Sequence, residues 1–162
     1  MVTATLAAGV ALAACGDDEG EPTSGAETIS IDSIADAGDV LVDPNGAALY
    51  SADEESDGRI GCTGGCTSIW VPVTVKKGQA PTGPADIDAQ LDTVKRPEGT
   101  AQVTFDGAPL YTFTDEGPGE VTGDGFQDTF RGQEFTWRVI TPSGAGSDAG
   151  AEDSAADAGS GY

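Results

Sequence analysis

Two cysteines four positions apart, Cys62 and Cys66, are the side chains in this sequence best suited to covalent chemistry. They flank Thr63-Gly64-Gly65, whose glycines let the chain double back between them. Such a pair has three uses: a structural disulfide, a labile disulfide that exchanges electrons with a partner, or two thiolates turned to a metal. The last is short of ligands, because a chain without histidine lacks the usual nitrogen donors of a tetrahedral zinc site. Haem attachment would need C-x-x-C-H, which is absent. A disulfide across so short a loop contributes about 2 kcal/mol at most on the chain-entropy estimate, enough to trim a loop but not to hold a fold together.

Carboxylates are the second candidate. Asp53, Glu54, Glu55 and Asp57 crowd one loop, and Asp115, Glu116, Glu120, Asp124 and Asp128 are spread along another that is rich in glycine. Calcium takes oxygens from flexible loops of this kind, so Glu120, Asp124 and Asp128, four apart, are weak candidate ligands. The EF-hand spacing is absent, and a charge-rich turn is ordinarily just solvated. A glycosidase needs a carboxyl group of raised pKa inside a cleft, which exposed Gly-rich loops do not provide. No nucleophile motif such as G-x-S-x-G occurs. The expectation is therefore no catalytic residue, no resident metal, no cofactor and no enzyme.

The chain has 162 residues, with 28 Asp and Glu against 7 Lys and Arg, for a formal net charge of −21. Such a surface repels phosphate backbones and anionic headgroups, which argues against nucleic acid as a partner. Residues 15–27 and 143–162 hold almost no large apolar side chain, and their composition predicts a disordered linker and a disordered acidic tail. What remains, 28–142, suffices for one domain with a modest core, expected to be monomeric.

Thr5 to Ala14 is a short apolar run of small residues that ends in Leu12-Ala13-Ala14-Cys15-Gly16. That string resembles the bacterial lipobox. The resemblance implies a signal peptide over 1–14, lipidation of Cys15, and a membrane-anchored place on the extracytoplasmic side. No apolar run reaches the ~20 residues that a membrane-spanning helix needs. Outside the cytoplasm the Cys62–Cys66 pair is expected to be oxidised.

The elements that must position these groups show themselves when the chain is slid along itself by 61 residues. Gly38 then falls on Gly99, Asn45-Gly46 on Asp106-Gly107, Leu49-Tyr50 on Leu110-Tyr111, and Glu55 on Glu116. Each stretch closes on a tryptophan-led strand, Ile69 to Val73 and Phe135 to Ile140. Val40 to Val42, Leu91 to Lys95 and Ala101 to Phe105 read as strands, and Asn-Gly and Asp-Gly as tight hairpin turns. Asp86 to Leu91 offers a short helix, and 53–58 and 115–128 read as long loops. The fold class is all-β: two tandem hairpin-rich repeats, about 29–75 and 90–141, packed face to face. Trp70, Phe113 and Trp137, with Tyr50 and Tyr111, are expected in the core.

Three strings carry a family resemblance: Gly107 to Glu120, Arg96 to Val103, and Cys62 to Pro72. With them the chain resembles the secreted-repeat lipoproteins of unknown function, whose motif is a tyrosine, four residues, then an aspartate. Here Glu55 and Glu116 stand five after Tyr50 and Tyr111, a carboxylate one methylene longer. The resemblance implies location and architecture and brings no activity. The reading is a non-enzymatic envelope module that binds an unknown protein or ligand. A thiol-redox or electron-transfer accessory acting through Cys62 and Cys66 is the alternative, and a calcium- or cation-binding module the next.

Overall fold

The computed structural model describes residues 27–146. The expected signal peptide, Cys15, the linker to Ala26 and the tail from Ser147 lie outside the described residues.

The chain opens with a hairpin of β1 (Ser30–Ile34) and β2 (Gly38–Val42), followed by β3 (Leu49–Ala52). A long excursion leads to β4 (Trp70–Pro72) and the short β5 (Thr74–Val75). Next come β6 (Leu91–Lys95), β7 (Ala101–Phe105), β8 (Ala108–Pro109) and β9 (Tyr111–Phe113). The chain ends in β10 (Gln127–Phe130), β11 (Gln133–Thr141) and β12 (Gly144–Ala145). Among the described residues the helical turns are short 3-10 segments, and no helix is long and apolar enough to cross a membrane. The all-β expectation holds. In place of the helix expected over 86–91 there is a 3-10 turn, Asp88–Gln90, whose few backbone bonds end where β6 begins.

Turn chemistry sets the local pairings. Asp106 (φ 48°) and Gly107 (φ 85°) both take the left-handed conformation that a two-residue hairpin between β7 and β8 requires. Arg131 (φ 54°) and Gly132 (φ 81°) do the same between β10 and β11. That second hairpin corrects the long loop expected over 115–128: its last residues, Gln127 and Asp128, belong to β10. An arginine in the left-handed region is an unusual turn residue, which hides this turn in the sequence. The fold also runs past the expected boundary at residue 142. Gly144 and Ala145 pair back onto Thr141 and Ile140, and Gly146 N–H donates to the Val139 carbonyl. This return is held by backbone bonds, so a reading based on large apolar side chains does not see it.

The central sheet runs β10-β11-β3-β9-β4. In its middle Tyr50 pairs with Tyr111, two residues 61 apart in sequence. The flanking registers are alike, although the two tryptophans stand six residues farther apart than the tyrosines. Trp137 pairs with Ala52 and Val139 with Tyr50, while Trp70 pairs with Phe113 and Pro72 with Tyr111. Each tyrosine strand therefore takes the tryptophan strand of the other stretch as its neighbour. The expectation of two separate hairpin units packed face to face is corrected on this point: the halves exchange strands within one sheet.

Alternation along these strands divides the core. Tyr50, Tyr111, Phe113, Trp137 and Val139 face one cluster, whereas Leu49, Leu110 and Ile140 face a second, aliphatic one with Leu41, Val103 and Phe105. In the aromatic cluster Trp70 lies between Trp137 (ring centroids 3.9 Å apart, planes at 11°) and Phe113 (4.4 Å, 16°). Tyr50 and Tyr111 meet this column edge-on, at 5.4 Å from Trp70 and 5.1 Å from Trp137. Tyr50, Tyr111, Trp70 and Trp137 are fully buried and Phe113 nearly so.

Truncating either stacked indole leaves a large void between two sheet faces. Trp70→Ala or Trp137→Ala is expected to lower the unfolding free energy by about 3–5 kcal/mol in chemical denaturation. Val71→Thr, beside Trp70 but on the exposed face, should stay within about 0.5 kcal/mol of wild type.

Candidate functional site

The exchange of strands brings the repeated tyrosines and glutamates together crosswise. Tyr111 Oη donates to Glu55 Oε2 at 2.6 Å, and Tyr50 Oη donates to Glu116 Oε2 at 2.8 Å. Neither glutamate bonds the tyrosine five residues before it; each reaches the tyrosine of the other stretch. The carboxylates then fasten their own loops. Glu55 Oε1 accepts the Gly61 N–H at 2.6 Å and the Cys62 N–H. Glu116 Oε2 accepts the Thr122 N–H at 2.8 Å, and Thr122 stands 61 residues after Gly61. Glu55 holds its loop with one oxygen and the distant hydroxyl with the other, whereas Glu116 holds both through Oε2.

The two pairs differ in depth. Glu55 is fully buried, and Glu116 is half-buried with its Oε1 unbonded among the described residues. Burial, then the neighbouring carboxylate's charge and hydrogen bond, push the Tyr111 hydroxyl above the ordinary tyrosine range. Burial and the hydrogen bond to Glu116 do the same for Tyr50. Gly123 packs against Tyr50 with its N–H on the hydroxyl at 3.2 Å, and a Cβ there would stand 2.9 Å from the Trp70 ring.

Beside the deeper pair lies a buried guanidinium that residue typing overlooks. Arg96 is 2 % exposed, donates through Nη2 to the Cys62 carbonyl at 2.8 Å and through Nη1 to Gln102 Oε1, and pairs with Glu98. Gln102 is fully buried and passes the chain on to the Leu110 carbonyl at 2.7 Å. The Arg96 guanidinium holds the exposed Glu98 carboxyl below its usual range. The signal for this network was the string Arg96 to Val103, read as a turn followed by a strand, whose first and seventh residues turn out to be core polar groups.

Cys62 and Cys66 form a disulfide with Cα atoms 5.3 Å apart, and both are fully buried against the aromatic cluster. The acids of the two loops go to separate donors. Asp128 Oδ2 accepts the Trp70 indole N–H at 2.6 Å, Asp124 accepts the Val139 N–H at 3.0 Å, and Glu120 accepts the Gly117 N–H at 2.7 Å. In the first loop Asp53 meets Arg138, Glu54 the Thr136 N–H, and Asp57 Arg59. Asp115 is exposed. Among the described residues no three His, Cys, Asp or Glu side chains converge as a metal site, so Glu120, Asp124 and Asp128 are not brought together. The arrangement fixes loops and joins two halves, and it buries the groups best suited to chemistry.

The unequal depth of the pairs predicts unequal costs. Tyr111→Phe strands a buried carboxylate and is expected to lose about 1.5–3 kcal/mol, more than Tyr50→Phe, with a Tyr111→Phe/Glu55→Gln cycle showing strong coupling. A tyrosine whose folded pKa is raised stays protonated while the unfolded one ionises near pH 10. Stability from both hydroxyls is thus intact below pH 10 and falls above it. Denaturation at pH 8 and pH 11 should show that loss in wild type and a smaller one in the double Tyr→Phe variant.

Residues 92–132 match the model of a family described as a secreted repeat of unknown function, a span from β6 through Tyr111 and Glu116 to the turn after β10. No curated protein and no solved structure matches the chain. Over residues 92–132, then, the chain is similar to the secreted-repeat family of unknown function that its motifs resemble.

Proposed function

We propose that this protein is a non-enzymatic extracytoplasmic module, anchored through lipid on Cys15, in which two copies of the secreted repeat are locked together to present a rigid surface to an envelope partner. One observation carries the reading: the reactive side chains are committed inward. Glu55, Arg96, Cys62 and Cys66 are at most 2 % exposed, and their polar atoms serve backbone and neighbouring side chains. The 61-residue recurrence of Tyr50 at Tyr111, each flanked by the tryptophan strand of the other stretch, supports two copies. The family description supports a location outside the cytoplasm. The apolar run before Cys15 and its lipobox pattern support the anchor.

Anchoring is tested by Cys15→Ser, which should leave the protein unprocessed or release it from the membrane fraction. Retention with normal processing would remove the anchor from this reading. The buried bridge separates a structural role from thiol exchange. The native disulfide should resist dithiothreitol at neutral pH and yield two thiols only once denaturant opens the core, because exchange needs a thiolate to reach a sulfur. Rapid reduction of the native protein would favour the redox alternative instead. A Cys62→Ala/Cys66→Ala variant should keep its β circular dichroism and melt a few degrees lower.

A further inference from the structure

In a chain of net charge −21, all three lysines gather at one place. Val75, Ala101 and Lys95 lie side by side in the β5-β7-β6 sheet, which sets Lys76 and Lys77, just after β5, at the same end as Lys95. The three border an open groove of about 600 Å³, together with Thr74, Thr93 and Thr100. Among the described residues no carboxylate lines it. All three lysines are exposed, and among the described residues none is ion-paired. Thr93 and Lys95 share one face of β6, whereas Asp92 falls on the other, and the nearby Glu98 is held by Arg96.

We propose that this groove receives the phosphate of an anionic lipid headgroup and seats this face of the protein on the membrane. The acidic surface at large repels such a headgroup, but the screening length of about 8 Å at physiological salt makes the local charge decisive. Three unpaired ammonium groups then outweigh carboxylates farther away. The place of chain entry selects a lipid as occupant. Thr28, near the start of the described fold, lines one cleft with Thr74, and Thr74 also lines the groove. This step rests on the anchoring proposed above: Cys15 is thirteen residues before Thr28, so even a fully extended chain keeps Thr28, in the cleft that adjoins the groove, within about 45 Å of the lipid. The acidic remainder is pushed off the same surface, so one orientation is favoured.

The test uses the full chain carrying Cys15→Ser, so that a failure of the anchor leaves it intact. It is titrated at physiological salt with phosphatidylglycerol vesicles, phosphatidylcholine vesicles and inorganic phosphate alone. Binding to phosphatidylglycerol should be at least tenfold tighter than to phosphatidylcholine. Lys76→Gln/Lys77→Gln/Lys95→Gln should weaken it at least fivefold without changing the near-ultraviolet signal of the stacked tryptophans. The matching triple Lys→Arg variant should retain it. Equal binding by the Gln variant, or no preference for the anionic vesicles, would overturn the proposal. Saturation by inorganic phosphate at the concentration of headgroup needed would also overturn it, by assigning the groove to free phosphate.

Discussion

Two hydroxyl–carboxylate bonds, the buried Tyr111 to Glu55 and the half-buried Tyr50 to Glu116, run in opposite directions across one point of the sheet, where the tyrosines themselves are paired. A carboxylate taken out of water must be matched or it destabilises the fold. Each glutamate is matched only when both stretches are in place. The loops fastened by Glu55 and Glu116, the edge-on approach of the tyrosines to the indoles, and the order of the central sheet all follow from that requirement.

The two halves are related by offset but not by chemistry. Trp70 Nε1 donates to Asp128, whereas Trp137 Nε1 is buried without a partner among the described residues. The position 61 before Asp128 is Thr67, inside the 3-10 turn that carries Cys66. Where one half spends a carboxylate on its neighbour's indole, the other has a disulfide-bridged loop. The disulfide closes that loop covalently, with both sulfurs buried in the aromatic cluster.

Much of the secondary structure was legible because its signals are local. Leu91 to Lys95 and Ala101 to Phe105 alternate or are β-branched, Asp106-Gly107 is a hairpin turn, and the aromatic core follows from a shortage of other large side chains. The repeated Tyr and Glu positions were legible too, through the offset alone. Their partners were not. Which tryptophan strand lies beside which tyrosine strand is a register between segments some 40 to 90 residues apart, and no local period encodes it. Arg96 and Gln102 escaped for a related reason, since charge and amide predict exposure unless the groups that satisfy them are known.

Strand exchange also sets a schedule for the chain as it is made. β9 finds both its neighbours, β3 and β4, earlier in the chain, yet β3 remains incomplete until β11 arrives, because Trp137 closes the indole column and Val139 pairs with Tyr50. Nearly the whole domain must therefore be available before its first half has a neighbour on that side. Contacts so distant in sequence slow folding, and the exposed edge of β3 is a template for the wrong strand in the interval. A second molecule at the same stage presents the same unfilled β3 edge and the same β11 sequence.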